Sequence, residues 1–186
     1  MEIFPKYRHS AINIQEVWKE NRRLEAETYL SDGYEIRKEI KSKHKFLLFG
    51  EIANVSQPNR LKGIVTSEFH GVPFLKATQM LRSRPKVRKW LVEDLIPGKS
   101  GRYVREGIIL ISCSGTVGLT SIALARHEGI IITHDLMRVV PNDKDWRGYI
   151  YAYLRTDDAK KMLRSSKYGN VIKHLEVAHI LSLIHI

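Results

Sequence analysis

The stretch GIILISCSGTVG (107–118) runs from an apolar block, Ile108 to Ile111, straight into Ser112, Cys113, Ser114, Gly115, Thr116, Val117 and Gly118. Hydroxyls, the chain's only cysteine and two glycines in one loop invite a catalytic or phosphate-binding reading. A phosphate loop needs G-x-x-x-x-G-K-[ST], but Leu119 follows Gly118. A dinucleotide fingerprint needs a further glycine. A nucleophile elbow needs glycines two before and two after the serine, where Ser114 has Ser112 and Thr116. Every test fails on spacing. The stretch is read instead as a buried strand over 108–111 ending in a tight turn. Ser114 and Thr116 are expected to satisfy backbone groups there, with Gly115 and Gly118 permitting unusual dihedrals or close approach. Cys113 should point away from Ser112 and Ser114 and be buried.

Working outward, the flanking segments read the same way. KFLLFGEIANV, RLKGIVTSEF and VPFLKATQ precede it, and IALARHEGIIIT and LMRVV follow, all short β-like runs broken by Pro, Gly and Asn. At the N-terminal side, residues 11–43 are rich in helix formers. They predict a helix from about residue 14 to about residue 30 and a second to about residue 42, broken at Gly33. The apolar stripe is thin, so this segment needs its own domain or another subunit to lean on. DWRGYIYAYLRTDDAKKMLRSS reads as a helix pair, with Asp157 as cap of the second and Met162 and Leu163 buried. The order predicts an α+β fold: a mixed or antiparallel β-rich domain with an N-terminal helical segment and C-terminal helices.

Composition narrows the function. At 186 residues and 43% hydrophobic, the chain suits one domain with a core plus an appendage. It has no run of the roughly 18 to 20 apolar residues of a membrane span and no secretory h-region in MEIFPKYRHS, so a cytoplasmic protein is expected. One cysteine excludes an internal disulfide and a thiolate zinc site. The net charge is +11, and +8 of it falls in residues 56–105, where eleven Lys and Arg face Glu68, Glu93 and Asp94 alone. Such a concentration attracts polyanions by releasing condensed counterions, and nucleic acid is the partner it fits best.

Candidate enzymatic constellations are weak. His174 and His179 in HLEVAH are five apart, not the four that place two imidazoles on one helix face for zinc. No metal site and no catalytic residue is assigned. His134 beside Asp135 at a strand end is read as two residues facing opposite ways. There is no Pro-Pro for an amino-methyltransferase loop, and Glu39 with Lys41 matches only half of a nuclease motif.

Taken in order, several stretches resemble one family, the specificity (S) subunits of type I restriction-modification systems, in their target recognition domain. They are NRRLEA (21–26), RLK (60–62) with GVPFLKATQM (71–80), GIILISCSGTVG (107–118), THDLMRVVP (133–141), GYIYAYLRT (148–156) and YGNVIKHLEVAHI (168–180). The resemblance covers residues of about 21 to 180. It implies a DNA-reading subunit without catalysis of its own. Such a subunit holds a methyltransferase subunit and, through the complex, a restriction subunit, and reads one half of a bipartite site in double-stranded DNA. No cofactor is expected on this chain, while S-adenosylmethionine, ATP and Mg²⁺ are expected on the partners. The domains are then a helical leader (1–43), a target recognition domain (44–180) and LSLIHI (181–186), read as a non-native tail at a truncated end. The chain holds one recognition domain, so it is either a half-subunit pairing with a copy of itself or a truncated form.

Base edges are read by side chains such as Gln on adenine and Arg on guanine, while Lys and hydroxyls suit phosphates. The expected DNA-binding residues are Lys76, Thr78, Gln79, Arg82, Arg84, Lys86, Arg88 and Lys89 in one segment. Arg60 and Lys62 on a separate loop, and Lys167 and Tyr168 near SSKYGN, complete the set. Two other classes compete: a nonspecific nucleic-acid binder, and a stand-alone enzyme using Ser114 or His134 with Asp135. Sequence preference separates the first, and activity of the isolated chain on DNA the second.

Overall fold

The structure is a computed structural model that describes residues 9, 11–19, 25–82, 84–166 and 174–185. Its centre is the strand expected from the opening stretch. β6 (Ile109–Ser112) is buried at every position. It lies in an antiparallel sheet with β2 (Ala53–Ser56), β7 (Thr120–Ile122) and β9 (Leu136–Pro141), in the order β2-β9-β6-β7. Ile109 and Ile111 join Met137 and Val139 on one face, while Leu110 joins Leu136 on the other. Both faces are covered, which is why the strand reads as a continuous apolar run rather than an alternation.

A second sheet covers the Leu110 face. It is built from β3 (Val65–Thr66), β4 (Val72–Leu75), β5 (Trp90–Leu91) and β8 (Ile131–Ile132), in the order β3-β5-β4-β8. β4 and β8 are parallel and the other pairs antiparallel, so the fold is the expected mixed α+β. Leu75 and Ile132 point inward to Leu110, whereas Phe74 and Ile131 point outward to Leu91 and Ile96. The period of two along each strand thus assigns alternate residues to two different cores.

Helices cover the other face of the central sheet. α6 (Arg147–Arg155) and α7 (Asp157–Ser165) form the expected pair, burying Ile150, Leu154, Met162 and Leu163. The cap of α7 is Thr156, whose hydroxyl accepts from Ala159 N at 3.2 Å; Asp157 sits in the first turn. α8 (Val177–Leu181) closes the layer, and β10 (Ile184–His185) pairs with β1 (Leu47–Leu48).

The N-terminal segment divides differently from the expectation. It forms α1 (Ile14–Lys19), α2 (Ala26–Tyr29) and α3 (Asp32–Lys43), and the break falls at Ser31, which caps α3 by accepting from Tyr34 N. Gly33 lies inside α3, where a Cβ would come within 2.3 Å of the Lys161 carbonyl oxygen. The glycine therefore serves close packing on α7, and Ile36 and Ile40 add to the helical core. Two other runs read as strand contain single helical turns, α4 (Phe49–Ile52) and α5 (Ala77–Met80). In the first, the Glu51 carboxylate accepts from Leu48 N and starts the turn. Among the described residues no helix is long and apolar enough to cross a membrane.

Candidate nucleic-acid interface

The expected turn after β6 is present, but a different residue closes it. Ser112 donates its hydroxyl to Thr116 O at 2.5 Å and accepts from Leu119 N at 2.9 Å. Gly115 and Gly118 have φ of 69° and 85°, the left-handed region that favours glycine. Cys113 is buried as expected, and burial, aided by Asp135, pushes its thiol up to about 11, far from a nucleophilic thiolate. His134 and Asp135 do meet, with Nε2 to Oδ1 at 3.6 Å. The chain turns there rather than running as a strand, through Thr133 Oγ1 accepting from Asp135 N. Among the described residues no group of three His, Cys, Asp or Glu could hold a metal.

The cationic residues form two groups. Val65 faces Leu91 and Thr66 faces Trp90, so the residues before β3 and those before β5 lie at opposite ends of this ladder. At one end is the segment 76–89, joining β4 to β5. Lys76, Thr78, Arg82, Arg84, Lys86 and Arg88 are all exposed, and no ion pair among the described residues engages them. Lys89 is half-buried with Nζ 5.6 Å from the Phe74 ring centroid. Gln79 staples the segment: its Oε1 accepts from Lys76 N at 3.1 Å, and its Nε2 donates to Lys86 O at 3.4 Å. The amide assigned above to adenine thus shapes the loop that displays the arginines. Phe69, 85% exposed, sits in the crossover from β3 to β4 that starts from this same end.

At the other end lie Arg60 and Lys62, both exposed. Two arginines not singled out in the sequence join Arg60 there. Arg102 is 4% exposed, donating Nε to Pro97 O at 3.0 Å and Nη1 to Asn59 O at 2.7 Å. Arg138 projects from β9, opposite Ser56 and Leu110, and donates Nη1 to Gly101 O. Its charge inside the apolar run LMRVV was the available signal. Lys167 and Tyr168 lie outside the described residues.

This architecture has counterparts among solved structures. The S subunit of a type I restriction-modification system from M. genitalium superposes with a TM-score of 0.51 at 10% identity, over 75% of this chain and 33% of that one. The HsdS subunit from Thermoanaerobacter tengcongensis gives 0.55 at 18% identity, over 92% and 42%. A chain from a study of type I system assembly and conformational transition gives 0.55 at 19%, over 92% and 44%. The chain has the type I S subunit fold. It spans less than half the length of these structures. No family model and no curated protein matches the sequence. Within the S subunit fold, the segment 76–89 is the cationic connection between two strands of the outer sheet, away from the helical layer.

Proposed function

We propose that the chain is a sequence-specific DNA-recognition module of a type I restriction-modification complex, reading one half of a bipartite site. It has no catalysis of its own and directs a methyltransferase subunit, and through the assembly a restriction subunit, to that site. S-adenosylmethionine, ATP and Mg²⁺ belong to those partners. The observation that carries the reading is the cationic segment 76–89 on an S subunit fold, with Lys76, Arg82, Arg84, Lys86 and Arg88 exposed and in no ion pair among the described residues. Surface charge on a stable protein is ordinarily interspersed with the opposite sign, and a one-sign loop on a rigid two-sheet scaffold suits a polyanion. Arg82, Arg84 and Arg88 have the fork geometry for guanine edges, and Lys86 and Lys89 suit phosphates.

The test is the variant with Arg82, Arg84, Arg88 and Lys89 all replaced by alanine. Three of the four are exposed, so the variant should keep the wild-type circular dichroism and melting transition while losing binding to its preferred duplex in a mobility-shift assay. Wild-type affinity in a folded variant contradicts the assignment. Equal affinity of the wild type for all duplexes, with a steep salt slope, would mark a nonspecific binder.

A further inference from the structure

Beyond the segment 76–89, the second cationic group is built as a cleft. It lies between the loop after β2 and the loop at 97–102, has a volume of about 410 Å³, and is lined by Arg60, Arg102 and Arg138 with no carboxylate. Arg138 is the unusual member. Its neighbours on the same face of the central sheet, Leu110 and Leu136, are fully buried, while Arg138 itself is half-buried. A guanidinium placed there loses hydration, and its Nε is buried without a hydrogen-bond partner. Burial, with Arg105 nearby, depresses its basicity, so the charge is held against both desolvation and repulsion.

Arg102 fixes the walls. Its two hydrogen bonds join the Asn59 and Pro97 carbonyl oxygens, so one side chain sets the separation of the two loops. The acidic groups just before the loop at 97–102 have partners of their own: Glu93 accepts from Tyr103, and Lys99 lies 3.6 Å from both Glu93 and Asp94. Three arginines therefore line one preformed space with no carboxylate among its lining residues. An anion entering it would add charged acceptors for the guanidinium N–H groups not already bonded to the Pro97, Asn59 and Gly101 carbonyl oxygens.

We infer that the cleft lined by Arg60, Arg102 and Arg138 seats a backbone phosphate of duplex DNA. The inference rests on the DNA-binding reading above but assigns this end of the outer sheet a separate task. Arginines on a phosphate fix the position of the protein on the duplex, whereas sequence is read from the segment 76–89. Loss of the seat should therefore weaken binding to all sequences alike.

The experiment measures duplex affinity against salt for the wild type, Arg138→Met and Arg60→Gln, on a preferred and a scrambled duplex. Each variant should lower the slope of log K against log salt by about 0.9, the value for one phosphate contact on B-DNA, equally on both duplexes and with sequence preference retained. Unchanged slopes in both variants overturn the inference. Should Arg138→Met fail to fold, the exposed Arg60→Gln decides alone. Inorganic phosphate, compared with chloride at equal ionic strength, separates the sources. If it raises the melting temperature through Arg138 while duplex slopes stay unchanged, the cleft is a free-anion site and the DNA assignment is overturned. If slopes fall as expected but no duplex is preferred, the phosphate seat stands and the recognition reading falls.

Discussion

Ser112 shows how one hydroxyl can decide a turn. It sits at the end of a fully buried strand, 2% exposed, and both its hydrogen bonds are to backbone groups of the turn it closes. Replacing it with alanine leaves Thr116 O and Leu119 N without that partner, so Ser112→Ala should lower stability by about 1 to 3 kcal/mol in chemical denaturation. A change well under 0.5 kcal/mol would mean that water or the backbone takes over the role. His127 makes a comparable contact with a titratable group. Its Nδ1 accepts from Leu124 N at 3.0 Å, which requires the neutral ring, and burial holds its pKa below the usual histidine value. The unfolded chain binds the proton more readily, so this contribution is complete above about pH 6.5 and is lost as pH falls through the lower folded-state value. His127→Gln keeps an acceptor, as Gln79 does for Lys76 N, and cannot titrate. Its stability relative to wild type should therefore rise on acidification from pH 7 to 5, and a constant difference would contradict the assignment.

At the scale of elements, Gly33 sets α3 against α7. Alanine would gain roughly 0.5 to 1 kcal/mol of helix propensity, but its Cβ would lie 2.3 Å from a backbone carbonyl oxygen that cannot swing aside. The clash wins, and Gly33→Ala should destabilise by about 1 to 3 kcal/mol, measured by thermal or urea unfolding. A stabilised variant would show that the two helices separate easily. Elements also show what the sequence makes legible. The strand at Ile109 to Ile111 and the helix pair at 147–165 are readable because long apolar runs or periods report burial directly. The turn at Phe49–Ile52 is not, since FGEI is as apolar as a strand and only the Glu51 carboxylate under Leu48 N marks it. β3 and β5 are two residues each, too short for any period to show. Gly33 looks like a breaker because its partner, Lys161, is distant in sequence.

For the whole molecule, charge is legible and its arrangement is not. Counting Lys and Arg locates the basic block within residues 56–105, but only the sheet order reveals that Arg60 and Arg88 lie at opposite ends of one ladder. Arg138 joins Arg60 and Arg102 through strand pairing with Ser56, a contact between residues far apart in the chain. The helical layer, the central sheet and the outer sheet then divide the work: the first two supply rigidity, and the third displays the cationic segment. Sequence-specific reading of duplex DNA is the claim on which the rest depends. Its most direct test is selection by the purified chain from a pool of duplexes with a randomised central region, followed by sequencing of the bound fraction. The account predicts enrichment of one short motif, lost when Arg82, Arg84, Arg88 and Lys89 are replaced by alanine. A bound fraction as random as the input would contradict it.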